Sequence, residues 1–341
     1  MTTTSINLGY VAASSLVALI TSIVTTRAWI RVAHERGLVG KDMNKPERPQ
    51  VAEAGGVWPM IAGSFGVMAL IALYRYLSGV YYYIAETFAL VALLLLSALL
   101  GFLDDLLGWK KGLPRWQRIV FMAPISLPLV VIKAGVSRIA LPVIGVVNLG
   151  LLYPLVAVPV GILGAANAFN MIAGYNGLEA TMAILLSVSI AAFSAIKGLY
   201  LVEALSVIMA LAVLGFLVYN WYPAKVFPGN TFTYGFGAYY AALVILGNME
   251  KAGIAFFTLY FVEFLLFIRG LLNGVYKENF AKVLPDGTLV EPYDKIYSLT
   301  HLAIRVQRKL RGKATEPGVV VFIALLQCII SLLVILVYAV R

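Results

Sequence analysis

Apolar positions along this chain come in long runs, not in the alternation of a half-buried strand or the narrow stripe of a soluble amphipathic helix. The runs cover roughly residues 7 to 30, 55 to 74, 84 to 103, 117 to 134, 151 to 170, 177 to 196, 200 to 220, 233 to 249, 252 to 275 and 318 to 340. Each is near the ~20 residues that a helix needs to cross a ~30 Å hydrocarbon layer, where every backbone N–H and C=O must be satisfied inside the protein. The pattern predicts an all-α integral membrane protein, a single polytopic domain over 1–341 with about ten transmembrane helices. The first run follows a short polar, uncharged stretch and ends in Arg27, Arg31 and Arg36 with no small-residue cleavage pattern, so it is expected to be a retained span. The ninth is interrupted by Glu263 and Arg269, expected to lie near one helix face, as a functional pair or as a structural ion pair. Between the fourth and fifth runs, SRIALPVIGVVNLG is rich in β-branched residues and contains Gly, which predicts a small external β-hairpin.

Charge sets the orientation. Ten crossings place both termini on one side, and 18 of the 26 Lys and Arg residues fall in the loops after odd-numbered spans against 6 on the other side. Basic loops stay in the cytoplasm, so those loops are expected there and both termini outside. The same distribution accounts for the net charge of +10 without nucleic acid, and assigns most basic residues of the last loop to membrane lipid headgroups. With 61% hydrophobic and 12% charged residues and a mean hydropathy of +0.91, no segment is left for a sizeable soluble domain. The one cysteine, Cys328, excludes an internal disulfide and a multi-cysteine metal site. No internal repeat is visible, which argues against the doubled architecture of many transporters. A homodimer is compatible with all of this.

Polar residues able to do chemistry concentrate in the odd-numbered loops. Asp104 and Asp105 end the third span in GFLDDLLGWKKGLPRWQR; adjacent carboxylates repel unless a cation or a proton relieves them, and hard oxygen ligands favour Mg2+. A solvated helix end neutralised by Lys110 and Lys111 explains the pair equally well. The fifth span ends in NAFNMIAGYNGLEA, where Asn167 and Asn170 share a helix face, Gly174 and Gly177 permit tight turns, and Asn176 follows. Amides at a membrane edge are costly unless used, and they can read a nucleobase edge or ligate a metal through oxygen. In NWYPAKVFPGNTFTYGFGA, Phe227 stands before Pro228 and Gly229 as a candidate stacking platform, with an interfacial aromatic belt as the alternative. His34 and His301 are the only histidines and read as surface or helix-end residues. Acids, amides, an aromatic and cations at one face of the bilayer are together what a nucleoside diphosphate substrate needs.

GKDMNK with Glu53-Ala-Gly-Gly, Asp104-Asp105, NAFNMIAGYNGLEA and NWYPAKVFPGNTFTYGFGA resemble, in the same order, the motifs of the polyprenyl-phosphate N-acetylhexosamine-1-phosphate transferases, the dolichyl-phosphate branch above all. The resemblance covers nearly the whole chain. It implies a ten-helix fold with a cytoplasmic active site and, as substrates, UDP-GlcNAc and a polyprenyl (dolichyl) phosphate. GlcNAc-1-phosphate would pass to the lipid with release of UMP, opening lipid-linked oligosaccharide synthesis for N-glycosylation. Mg2+ is the implied cofactor, Mn2+ its alternative. By the same resemblance Asp104 and Asp105 are the catalytic acidic pair and Asn170 an amide near metal and diphosphate. Gly174, Asn176 and Phe227 hold uracil by backbone approach, amide hydrogen bonding and stacking, Asn167 joins the substrate residues, and Glu53 lies near the nucleoside. Two departures stand out. Asn230 occupies the place of the family's metal-binding Asp, and the family's phosphate-contacting Lys is matched only by Arg118; Lys277 and Lys282 fall in the region of its sugar and phosphate Arg residues. Three other readings stay open: a bacterial-type undecaprenyl-phosphate transferase, whose last loop is rich in histidine where this chain has only His301; a non-catalytic transporter or lipid-binding protein; and an inactive member of the family.

Overall fold

The first apolar run folds as one uninterrupted helix, α1 (Leu8–Glu35), whose N-terminus is closed by the Asn7 side chain accepting from the backbone N–H of Gly9 at 2.9 Å. A two-stranded hairpin follows, β1 (Val39–Lys41) against β2 (Gln50–Ala52), and then α2 (Val57–Leu73) and α3 (Ile84–Leu106). This is a computed structural model, and it describes residues 7–79, 83–107, 115–141 and 145–340, with the side chains of 115, 116, 118, 119, 140 and 141 outside that description. Lys110 and Lys111, expected beside the acidic pair, lie outside the described residues, as does the side chain of Arg118.

The expected fourth span is broken into α4 (Arg115–Met122), a 3-10 turn and α5 (Leu127–Val131), because Pro124 and Pro128 each remove a backbone donor. The expected hairpin is present as β3 (Arg138–Leu141) paired antiparallel with β4 (Gly145–Asn148). Then come α6 (Val158–Asn170), α7 (Leu178–Lys197), α8 (Tyr200–Asn220) and α9 (Gly229–Leu246). The ninth run bends by 57° between α10 (Glu250–Phe256) and α11 (Thr258–Leu272). Gln327 donates to the carbonyl of Phe256 at 3.0 Å, satisfying a backbone acceptor at the break in an apolar setting. The chain closes with strands β5 (Lys282–Val283) and β6 (Leu289–Val290), the amphipathic helix α12 (Leu299–Arg311) and the apolar helix α13 (Glu316–Tyr338).

The protein is an all-α integral membrane protein with three small strand pairs among the described residues. Length and composition alone do not confirm the expected ten spans. Seven described helices are long and apolar enough to cross a bilayer, eight with the bent α10–α11 pair. Of the remaining two, α4–α5 is broken, and α9, 18 residues long, is rich in Gly, Thr and Tyr. Helix α9 tolerates that composition because it runs through the centre of the bundle, with every residue from Thr231 to Ile245 buried against its neighbours and not against lipid. Gly101 permits one close approach: a Cβ there would lie 2.4 Å from the carbonyl oxygen of Asn230, so α3 and α9 meet backbone to backbone one turn before Asp104.

Glu263 does not pair with Arg269. Six residues at about 100° each separate the two side chains by roughly a third of a turn, and Arg269 is exposed whereas Glu263 is fully buried. The carboxylate instead takes the ammonium of Lys277, the Ser298 hydroxyl at 2.9 Å and the Leu299 N–H at 2.7 Å, which ties the last loop to the bundle.

Candidate active site

Asp104 and Asp105 end α3 beside the N-terminus of α9, and the two carboxylates have different surroundings. Asp105 accepts from the backbone N–H of Asn230 at 2.7 Å and of Thr231 at 3.0 Å, and from the Thr231 hydroxyl at 2.6 Å. Both its oxygens are thereby committed to α9, at the end of the helix where backbone donors and dipole favour negative charge. Asp104, 2% exposed, accepts from the Asn230 side-chain amide at 2.7 Å. The Asn230 oxygen accepts from Asn170 at 2.6 Å, and Asn170 also donates to the Thr233 hydroxyl at 2.7 Å. One chain of hydrogen bonds therefore joins the acid of α3, the amide of α6 and the first turn of α9.

Asp104, Asp105, Asn170, Asn230 and Thr233 line a cavity of about 1060 Å3 that also takes in Glu53, Gly174, Asn176 and Phe227. Phe227 is fixed from both sides of its backbone: its N–H donates to the Ala52 carbonyl at 2.7 Å and its carbonyl accepts from Gly55 at 3.0 Å. Gly174 has φ +122, a conformation open to glycine, and its peptide groups are held by Glu179 on the N–H and Asn44 on the carbonyl, each at 2.9 Å. The ring of Phe280 covers it, 3.3 Å from where a Cβ would stand. Burial pushes the Glu53 carboxyl above the usual carboxylate range.

Asn176 lines the cavity, but its polar atoms are engaged within the protein. Its side-chain oxygen accepts from Lys45 at 3.0 Å and from the Ala224 N–H at 2.9 Å, its amide nitrogen donates to Asp42 at 3.2 Å, and its backbone N–H donates to Glu316 at 2.7 Å. Lys45 in turn pairs with Asp42 at 2.8 Å and with Glu316, closing a buried knot that joins the first loop, the loop after α6 and the start of α13. Asn279 adds a second lock by donating to the carbonyls of Met171 and Ala173 at 2.8 and 2.7 Å.

Three sequence candidates stand apart from this cavity. The Asn167 amide donates to the Leu163 carbonyl of its own helix at 2.9 Å. Lys277 is buried against Glu263 and Asn279, and burial pushes its ammonium below the ordinary lysine range although Glu263 pulls the other way. Lys282 lines a neighbouring cavity of about 420 Å3 with Arg48 and Tyr293. Arg118 lies on α4 with its side chain undescribed. Sequence reasoning missed Lys45, Asn44, Glu179, Asn279, Phe280 and Glu316. The first three sat inside motifs already singled out; Glu316 gave no signal, since an acid at the head of an apolar run reads as a helix end.

His34 is exposed at the end of α1 and His301 lies in the first turn of α12, both at helix ends as expected, but His301 is buried, 1% exposed and away from the cavity. Its Nε2 meets the Glu278 carbonyl at 3.1 Å, which makes that nitrogen the donor. Burial first, and the Lys277 charge second, push its pKa down to about 4. An unfolded histidine titrates near 6.5, so between those values the unfolded chain binds more protons and stability falls as pH falls. Stability in detergent is expected to drop by up to about 3 kcal/mol as pH goes from about 6.5 toward 4, read as a falling melting temperature, and His301→Gln is expected to flatten that part of the profile.

Among the described residues no group of three or more His, Cys, Asp or Glu is placed to hold a metal ion. Asp104 with the amide oxygens of Asn170 and Asn230 still suits a hard cation such as Mg2+, which keeps several waters and needs only one or two carboxylates beside substrate phosphates.

The chain is also similar to known proteins. The family model described as Glycosyl transferase family 4 matches residues 87–248. A protein of Saccharolobus solfataricus, provisionally named a UDP-N-acetylglucosamine--dolichyl-phosphate N-acetylglucosaminephosphotransferase, is 34% identical over 86% of this chain and 87% of its own length. The chain belongs to glycosyl transferase family 4. A Sulfolobus acidocaldarius protein with the same provisional name is 32% identical over 91% of this chain and 90% of its own. The Schizosaccharomyces pombe enzyme of that name is 30% identical over 71% and 63%. The matched family 4 segment runs from α3 to the end of α9 and so contains Asp104, Asp105, Asn170, Gly174, Asn176, Phe227 and Asn230.

Proposed function

We propose that this family 4 glycosyltransferase moves GlcNAc-1-phosphate from UDP-GlcNAc to a polyprenyl phosphate of the dolichyl type and releases UMP. The carrying observation is the single cavity in which Asp104, the Asn170–Asn230 amide pair, Phe227 and Gly174 converge. The names of the relatives support the same substrates. When bound at Asp104, Asn170 and Asn230, Mg2+, with Mn2+ as the alternative, would neutralise charge on the diphosphate.

The reaction is read as a direct displacement. A phosphate oxygen of the acceptor forms a bond to the sugar-bearing phosphorus, the bond from that phosphorus to the bridging oxygen breaks, and its electron pair leaves with UMP. The acceptor phosphate is largely ionised near neutral pH, so no strong base is needed, and catalysis rests on alignment and charge. The engagement of both Asp105 oxygens favours this over a covalent aspartyl intermediate at that residue. Asp105 positions the first turn of α9, and with it Asn230; Asp104 faces the reacting groups. Phe227, with its backbone fixed, offers a stacking face for the base, and the small size of Gly174 lets the base approach the backbone. Reading of uracil by the Asn176 amide requires exchange of one of its present partners, Lys45, Asp42 or Ala224. The cavity is assigned to the cytoplasmic side, both termini to the outside, and the reaction to the opening step of lipid-linked oligosaccharide synthesis.

Radiolabelled UDP-GlcNAc, a polyprenyl phosphate and Mg2+ with the purified chain are expected to give a lipid-linked sugar and UMP in equal amounts. Absence of both products, with the protein folded, would overturn the reading.

A further inference from the structure

The C-terminal end of α12 presents six consecutive exposed residues, Arg308 to Lys313, reading RKLRGK. The opposite face of the helix is packed inward through Leu299, Ala303, Ile304 and Gln307. Gly312, in the left-handed region, ends the helix, and α13 begins at Glu316. Two residues separate Lys313 from that helix, a reach of about 10 Å at the extended limit, and α13 is the most apolar candidate span among those described, with a mean hydropathy of 3.1. Gln307 touches the head of α13, its side-chain oxygen 2.0 Å from where a Cβ of Gly318 would stand, so the end of α12 is held at the point where the chain enters the bilayer.

The charges on this run are unevenly engaged. Arg308 and the preceding Arg305 both pair with Glu291, at 2.5 and 3.1 Å. Lys309, Arg311 and Lys313 make no hydrogen bond or ion pair among the described residues. The nearby Asp286 accepts from the Thr288 hydroxyl and N–H, which hold its carboxyl below the usual carboxylate range with the Lys313 charge adding to them, so Lys313 feels one carboxylate at a distance without pairing with it. Between the cations Leu310 is 77% exposed, an apolar side chain with no protein partner to cover it. Cations around an exposed leucine at the mouth of a membrane helix match a headgroup layer, where phosphates meet the charges and the leucine enters the acyl boundary.

We propose that Lys309, Arg311 and Lys313, with Leu310 between them, form a docking surface for anionic lipid headgroups in the leaflet at the cavity end of the bundle. The far end of α12 is tied to the loop that covers the cavity, through Thr300 on the Asn279 carbonyl at 3.2 Å and His301 on that of Glu278 at 3.1 Å. Headgroups at this patch therefore steady the helix on which the cavity's roof rests.

The test needs no nucleotide, so its outcome is independent of the transferase reading. The purified full chain in neutral detergent is titrated with dioleoylphosphatidylglycerol or dioleoylphosphatidylcholine, and bound lipid is counted by native mass spectrometry. The parent is expected to prefer the anionic lipid at least tenfold, with a preference that shrinks as salt rises. Each Lys or Arg near an anionic surface is worth about fivefold, so Lys309→Gln/Arg311→Gln/Lys313→Gln is expected to weaken phosphatidylglycerol binding by about 100-fold. The triple Arg75→Gln/Lys133→Gln/Lys197→Gln removes the same charge from exposed positions elsewhere and is expected to keep the parent's binding. Equal loss in the two triples, no loss in the first, or no headgroup preference in the parent would each overturn the proposal. Should the first triple fail to fold, the three single substitutions read the same contributions separately, at about fivefold each.

Discussion

Asp104→Asn is expected to lower turnover by about three orders of magnitude while leaving the melting temperature near that of the parent, and Asp105→Asn to lower both. The difference follows from what each carboxylate touches. Asp104 accepts from the Asn230 amide, a contact that an isosteric amide can keep, so the loss is of negative charge at the reacting groups. Asp105 receives three donors from the first turn of α9, and an amide in its place turns an N–H toward at least one of them. Loss of that cap and of charge at a helix N-terminus costs about 2–4 kcal/mol. Thermal melting in detergent beside product formation checks both, and stability loss confined to the Asp104 variant would reverse the assignment.

Asn230→Asp is expected to make the protein more dependent on divalent cation and more responsive to it. In the parent the Asn230 side chain donates to Asp104 and accepts from Asn170, so the site is satisfied without added charge. A carboxylate there would face Asp104 across 2.7 Å with no proton between them. Like charges at such range cost about 1.5 kcal/mol in water and about 6 where the effective dielectric constant is near 20, so the variant should melt lower in chelator. Mg2+ relieves that repulsion, and the variant should gain more melting temperature than the parent and half-saturate at a Mg2+ concentration at least about tenfold lower. Melting curves across a Mg2+ series measure this independently of turnover. Identical curves for the two proteins would show that position 230 takes no part in cation binding. A large gain in turnover would show that the amide limits the parent site.

Much of the candidate site could be read directly from the sequence. The Asp104–Asp105 pair, Asn170, Gly174, Phe227 and Asn230 announce themselves because polar or turn-forming residues at the ends of apolar runs are costly without a use, and all of them line one cavity. What each does could not be read in the same way. Two adjacent aspartates are equivalent in a sequence, and only the approach of α9, permitted by Gly101, makes one a cap. Asn176 looked open to a ligand and is instead the centre of a knot with Lys45, Asp42 and Glu316, whose partners lie 131, 134 and 140 residues away. Lys277 looked like a phosphate ligand and is paired with Glu263, while the helical period itself rules out the expected Glu263–Arg269 pair.

The sequence by itself determined the solvent, the helical class and the end of the bundle where the chemistry sits, since run length, hydropathy and the placement of motifs are local properties that lipid reads directly. The tertiary structure decided the number of intact spans, because Pro124 and Pro128 break one run and the burial of α9 frees another from the need to be lipophilic. It also decided which carboxylate is structural, which amides are engaged and which cations remain unpaired. Those outcomes depend on contacts between residues far apart in the chain, and the free energy of a buried polar group is set by its partner.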